Sequence, residues 1–283
     1  MPFVTSMSAP AASMPTGSLM RLTDHPRDDP AHHATGSGHL SDMTSVLVRR
    51  MNRQTHRRPG PVPTKVPMIG RVNERVDDAA GREAIVLAGA RLGRRGLIAA
   101  GEGNLSIRLP GGWMVITPAG RRKDELRQDD LVTESLTVTE AAAAGGGGLR
   151  PSSDVVIHRA IYRARPDVLA IVHAHVPAAM ALTVAGEVPD PAALPETALL
   201  LPRLPFVPYG TPGSVELAAR VADALAAPPA PLPGAAILER HGAIAIGDSL
   251  DEALDRMELV DVLCRVWRDA VLLRAARGRD GGD

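Results

Sequence analysis

The chain has 283 residues, 45% of them hydrophobic, which is enough for one large packed domain or two small ones. Lys and Arg together number 32, as do Asp and Glu, and there are only two Phe, two Tyr and two Trp. Neither a global charge nor a supply of aromatic stacking platforms therefore points to nucleic acid or to an anionic membrane surface.

The single cysteine, Cys264, excludes an intrachain disulfide and a Cys-rich zinc site, which fits a reducing compartment. No run of 18 apolar residues occurs, and the first twenty residues lack a basic segment followed by an apolar one. The expectation is a cytoplasmic protein with no membrane and no nucleic-acid partner.

Residues 1–75 are rich in Pro, Ser, Thr, His and Arg without a sustained period of 2 or 3.6, so they are expected to form a disordered leader. Five of the nine histidines lie there (His25, His32, His33, His39 and His56), and a loose metal-binding tract is the alternative to plain disorder. Met51 and Met68 are candidate later starts.

From residue 77 the texture changes. Ile85, Val86, Ala88 and Leu92 sit at helical spacing over residues 78–92, with Gly93 and Gly96 expected to close the helix. Residues 104–109 and 113–117 alternate apolar and polar side chains on either side of Pro110-Gly111-Gly112, which predicts a β-hairpin. Residues 140–150, with four Ala then four Gly, predict a flexible loop.

Ser152 and Ser153 precede a helix expected over residues 154–164 that must stop near Pro166, and an apolar strand is predicted over 168–175. Ser214 is expected to cap a helix ending before Pro228-Pro229. Strands are predicted at 235–239 and 243–246 around Arg240-His241-Gly242, and Ser249 with Glu252 forms a capping box for a last helix reaching about residue 276.

This order mixes helices with hairpins rather than repeating βαβ. It predicts an α/β fold, a three-layer sandwich whose central, largely antiparallel sheet is flanked by helices, over residues 76–277, with a flexible tail at 278–283.

In Ile171-Val172-His173-Ala174-His175 the strand period of two puts both imidazoles on one face, about 6.6 Å apart along the chain, a chelating arrangement. Taken alone, the pair reads equally as two half-buried polar residues bonded to backbone. Asp154, in the first turn of the preceding helix, can return over that face, and His241 sits in the turn before Gly242. His158, one helical turn from Asp154, reads as structural. Imidazole suits Zn²⁺, and a catalytic zinc keeps three protein ligands and an open position.

Six short motifs then occur in order: Gly103-Asn104-Leu105-Ser106, Thr117-Pro118-Ala119-Gly120, Pro151-Ser152-Ser153-Asp154, His173-Ala174-His175, Pro208-Tyr209 and His241-Gly242. In these the chain resembles the class II aldolase and adducin family, which includes L-fuculose-phosphate aldolase and L-ribulose-5-phosphate 4-epimerase, over roughly residues 80–275.

The resemblance implies one Zn²⁺ per subunit, or another divalent metal, on Asp154, His173, His175 and His241, with Asp154 also moving the proton. It implies a phosphate cradle built from Gly103, Asn104, Thr117, Gly120, Ser152 and Ser153, using backbone N–H groups at turns and at a helix N-terminus. The implied partner is a small phosphorylated sugar, and the implied assembly is a homotetramer.

The implied reaction is retro-aldol cleavage of a ketose phosphate of the fuculose-phosphate kind, through an enediolate stabilised by the metal. Epimerase, dehydratase or decarboxylase chemistry on the same scaffold is the alternative, and a non-catalytic adducin-like module is a third reading. Three departures bear on the choice. Asp154 stands where the aldolases usually carry Glu and the 4-epimerases Asp, a side chain shorter by one methylene, about 1.5 Å. Ala119 replaces a hydroxyl residue, and the tail from residue 274 to 283 has no Tyr to serve as a proton donor. A Schiff-base mechanism needs a buried lysine, whereas Lys65 lies in the leader and Lys123 is expected in a charged loop.

Overall fold

The computed structural model describes residues 78–137 and 148–280, with side chains up to residue 277. The expected leader, most of the Gly-rich loop and the last three residues lie outside them.

Seven helices and strands open the described chain: α1 (Asp78–Arg95), the hairpin β1 (Asn104–Leu109) and β2 (Trp113–Ile116), β3 (Val132–Ser135), α2 (Val155–Ala164), β4 (Ala170–Ala174) and α3 (Pro177–Val184). They are followed by α4 (Pro195–Leu200), β5 (Phe206–Val207), α5 (Val215–Ala226), β6 (Ala235–Leu238), β7 (Gly242–Gly247) and α6 (Leu250–Asp280).

The strands form one sheet in the order β3-β2-β1-β4-β7-β6-β5, antiparallel throughout except for the parallel β5–β6 pair. With helices on both faces, this is the three-layer α/β arrangement that the order of elements predicts.

Strand alternation separates two cores. Leu105, Ile107, Val115, Val172, Ile237 and Ala245 face α1, α3 and α6. Met114, Ile116, Ile171, Ile244 and Ile246 face α2 and α5.

Local signals explain several boundaries. The Ser214 hydroxyl accepts from Leu217 N–H at 3.1 Å and caps α5. Ser249 accepts from Glu252 N–H at 3.2 Å, while the Glu252 carboxylate reaches one residue further back than a standard capping box, to Asp248 N–H at 2.7 Å.

Some expectations are corrected. Gly93 does not close α1 but lies within it, and it is a glycine of close packing, since a Cβ there would meet the Asp124 Cβ at 2.6 Å. The fourth strand is shorter than predicted, so His175 lies just beyond it. Elements β3, α3, α4 and β5 had no expectation in the sequence. Among the described residues no helix is long and apolar enough to cross a membrane.

Candidate metal centre

The site forms where the central strands end on the α2 face. Asn104 on β1 pairs in register with His173 on β4, and His173 in turn with Ile244 on β7. His173 is therefore flanked by two strands and is 1% exposed.

His175 follows at the strand end, half-buried, and His241 comes from the turn between β6 and β7. That turn approaches β4 closely: at Gly242, with φ of 122°, a Cβ would lie 2.3 Å from the Ala174 carbonyl, so only glycine lets His241 reach His175. The three rings stand edge to face, with centroids 5.2 Å (His173–His175), 4.8 Å (His173–His241) and 4.9 Å (His175–His241) apart. One nitrogen from each can lie within 4.8 Å of the others.

Asp154 is the N-cap of α2 and is 5% exposed, its Oδ2 3.7 Å from His173 Nε2. The helix and turn between Asp154 and β4 thus bring the carboxylate beside His173, while the side chains placed to share a metal ion are His173, His175 and His241, without Asp154.

His173 Nδ1–H donates to the Ala243 carbonyl at 2.9 Å, which fixes the tautomer and turns the bare Nε2 toward the cluster. Nε2 of His173, Nδ1 of His241 and Oδ1 of Asp154 are buried with no hydrogen-bond partner in the protein. Buried polar atoms are seldom left unpaired, and all three belong to side chains at this cluster. Burial holds His173 and His241 below the ordinary imidazole range, with Asp154 opposing, so both offer neutral nitrogens. For Asp154, burial works to raise the carboxyl, but His173, His241 and the Asn104 amide outweigh it and hold it below the usual carboxylate range. Neutral imidazoles beside a carboxylate form a donor set suited to a divalent cation of borderline softness. The residues present fit a metal.

A cavity of about 350 Å³ opens beside this cluster, lined by Gly103, Asn104, Gly120, Ser152, Ser153 and Asp154 among others. Five of the six residues expected in the phosphate cradle therefore border it. The sixth, Thr117, is fully buried, with its hydroxyl accepting from Leu105 N–H at 3.2 Å, and it is absent from the lining. It joins the cradle strands from behind, while its carbonyl accepts from Ser152 N–H at 3.1 Å. Asn104 borders the cavity, but its amide is engaged with Asp154 at 2.9 Å. At Gly103, with φ of 68°, a Cβ would meet the His173 carbonyl at 2.7 Å, which accounts for glycine at that turn.

Lys123 is not in an exposed charged loop. It is 1% exposed and borders the cavity, with its ammonium donating to the Gly101 and Arg121 carbonyls at 2.7 Å each. It ties the turn before Asn104 to the loop after Gly120. Burial pushes it down to about 8, with Asp154 opposing. The premise that no buried lysine exists fails. What stands against imine chemistry is that both carbonyl acceptors would have to be given up. Arg240, also in the lining, stacks on the Tyr209 ring at 4.5 Å. No local pattern marks either cation, because the burial of Lys123 depends on contacts with α1.

Residues 83–268 match the family model for the class II aldolase and adducin N-terminal domain. A 3-oxo-tetronate 4-phosphate decarboxylase from Cupriavidus necator is 33% identical over 190 residues, which is 66% of this chain and 82% of that protein. A methylthioribulose-1-phosphate dehydratase from Acidiphilium cryptum is 32% identical over 192 residues, covering 63% and 85%. The crystal structure of L-fuculose-1-phosphate aldolase from Thermus thermophilus superposes with a TM-score of 0.59 at 29% identity, covering 70% of this chain and 97% of that one.

Proposed function

We propose that this chain, which belongs to the class II aldolase and adducin family, is a metal-dependent enzyme that releases carbon dioxide from a small phosphorylated 3-oxo sugar acid. The observation that carries this reading is the grouping of His173, His241 and Asp154, each with an unpartnered buried atom, beside a cavity bounded by anion-binding turns, in a chain 33% identical to a decarboxylase of such a substrate. Dehydration of a related sugar phosphate has comparable support from the dehydratase relative. The relatives thus favour the alternative reading of the sequence over fuculose-phosphate cleavage, for which the support is the likeness to the Thermus thermophilus aldolase.

A Zn²⁺ ion held by His173, His175 and His241, with Asp154 beside it, would supply Lewis-acid polarisation of the substrate carbonyl. The chain's own residues do the rest. Backbone N–H groups at Gly103, Gly120 and Ser153, with the Ser152 hydroxyl, bind the phosphate, and the Lys123 ammonium holds two of these turns together. Arg240 and Lys123 place positive charge at the cavity wall, where an anionic substrate gains most. As the carbon–carboxylate bond breaks, its electron pair passes into the adjacent carbonyl and one proton must return to carbon. Solvent supplies that proton through a water that donates its other hydrogen to Asp154 Oδ1, the free oxygen, and that is reprotonated from bulk water.

The test is turnover by zinc-loaded protein of 3-oxo-tetronate 4-phosphate, methylthioribulose 1-phosphate and fuculose 1-phosphate in parallel. Carbon dioxide release from the first is expected, and cleavage of the third alone would overturn the reading. We further propose a homotetramer, by family analogy, with light scattering of a stable, active monomer as the contrary result. Residues 76–277 are proposed to carry the activity, and loss of turnover on removing residues 1–75 would contradict that.

A further inference from the structure

Five polar side chains run in single file from the metal centre into the α2 face of the core. Asn104 Nδ2 lies 2.9 Å from Asp154 Oδ2 and Asn104 Oδ1 lies 2.5 Å from His158 Nε2. His158 Nδ1 lies 2.6 Å from Ser106 Oγ, and Ser106 Oγ lies 2.8 Å from Tyr162 Oη. His158 and Ser106 are 0% exposed, Tyr162 1% and Asn104 2%.

The direction of each bond follows from the chemistry of the atoms. An ionised carboxylate only accepts, so the Asn104 NH₂ donates to Asp154, and its oxygen is left facing His158. An amide oxygen only accepts, so His158 carries its hydrogen on Nε2. The ring is 0% exposed and both of its partners, the Asn104 amide oxygen and the Ser106 hydroxyl, are uncharged, so it is neutral and has a single N–H. Nδ1 must then accept from the Ser106 hydroxyl, so the Tyr162 hydroxyl gives its proton to the Ser106 oxygen at 2.8 Å rather than to the Leu169 carbonyl at 3.4 Å. Burial raises the Tyr162 pKa and keeps that proton in place. Every donor points toward Asp154.

We propose that His158 is a positioning residue, which through Asn104 fixes the rotation of the Asp154 carboxylate so that Oδ2 is held and Oδ1 is left free for chemistry. This rests on the role given above to Asp154. It gives His158 a function that its place one helical turn from the ligands does not suggest, and it explains why a hydrophobic core spends three buried side chains behind one aspartate. Without the His158 Nε2–H the Asn104 Oδ1 loses its donor, and the contact with Asp154 is left as the one side-chain bond holding the amide in place.

The test compares His158→Leu, which fills the space without polar atoms, with His158→Gln, whose amide can donate to Asn104 and accept from Ser106. In the Leu variant kcat should fall about 10–100-fold, the range for residues that orient a metal site, with KM little changed, and the Gln variant should recover most of the loss. A merely structural histidine would lower the melting temperature of both variants and leave kcat per folded molecule unchanged, which would overturn the proposal. A second readout needs neither turnover nor metal. Nitrogen-15 spectra of the metal-free protein at neutral pH should show His158 as the neutral Nε2–H tautomer, with Nδ1 bare. An Nδ1–H tautomer or an imidazolium would reverse the chain and overturn the proposal, whatever substrate the enzyme proves to take.

Discussion

The two faces of the sheet obey the same alternation but do different things with it. Toward α1, α3 and α6 the central strands present only Leu, Ile, Val and Ala, and the helices answer with Leu92, Leu182, Leu254 and Met257. Toward α2 and α5 the same strands also present Asn104, Ser106 and His173, and α2 answers with His158 and Tyr162. Burying polar groups costs free energy unless each is paired, and the second face pairs nearly all of them. Among the described residues the exceptions are His173 Nε2, His241 Nδ1 and Asp154 Oδ1, all on side chains of the candidate site. One face secures the fold, and the other gives up apolar packing to hold a site in one geometry.

The sharpest way to break this division is to disturb each face separately. Leu254→Ala on the apolar face should lower stability by about 3 kcal/mol, within the usual range for a buried leucine, and leave kcat unchanged at temperatures where the protein is folded. Urea unfolding with parallel rate measurements checks both halves. A comparable fall in kcat would show that the faces are not independent.

Acid should act mainly on the polar face. His158 titrates at about 4 in the folded chain against an ordinary 6.5, so as pH falls through 6.5 the unfolded chain takes up the proton first. The folded state therefore loses stability between pH 6.5 and 4, by roughly 3 kcal/mol for a fully buried group. His158→Gln should remove that part of the acid sensitivity. Unfolding curves of the metal-free proteins at pH 7 and 4.5 would show it, and equal losses in both would contradict the assignment.

Asp154→Asn keeps the size of the side chain and an oxygen near the histidines but removes the charge and basicity. Turnover should fall by about 10²-fold with zinc retained and the melting temperature little changed. Full activity in this variant would remove Asp154 from the chemistry.

Much of the site could be read in the sequence because its elements are local. A strand period of two placed His173 and His175 together, a helix N-terminus placed Asp154, and a turn before Gly242 placed His241. What stayed hidden depends on distant contacts. Lys123 lies in a charged stretch, yet α1 packs so closely over it that a Cβ on Gly89 would stand 2.1 Å from the Lys123 carbonyl. The sequence reads His158 as structural because spacing along one helix shows which way it points but not that Asn104, 54 residues earlier, meets it. Thr117 was placed in the cradle by its motif, and only the pairing of β1 with β2 shows its hydroxyl turned back to Leu105. Strand β3 leaves no mark in the sequence because Val132–Ser135 is a short, half-buried edge without a turn signal of its own.

The claim on which the rest depends is that His173, His175 and His241 hold the metal. It is tested most directly by measuring zinc content, turnover and circular dichroism on the same preparations of the three single Ala variants. Each should keep the fold, bind zinc far more weakly and lose turnover, because the two cores do not rest on the metal. A variant that kept full zinc occupancy and full activity would show that the metal centre is not the one described.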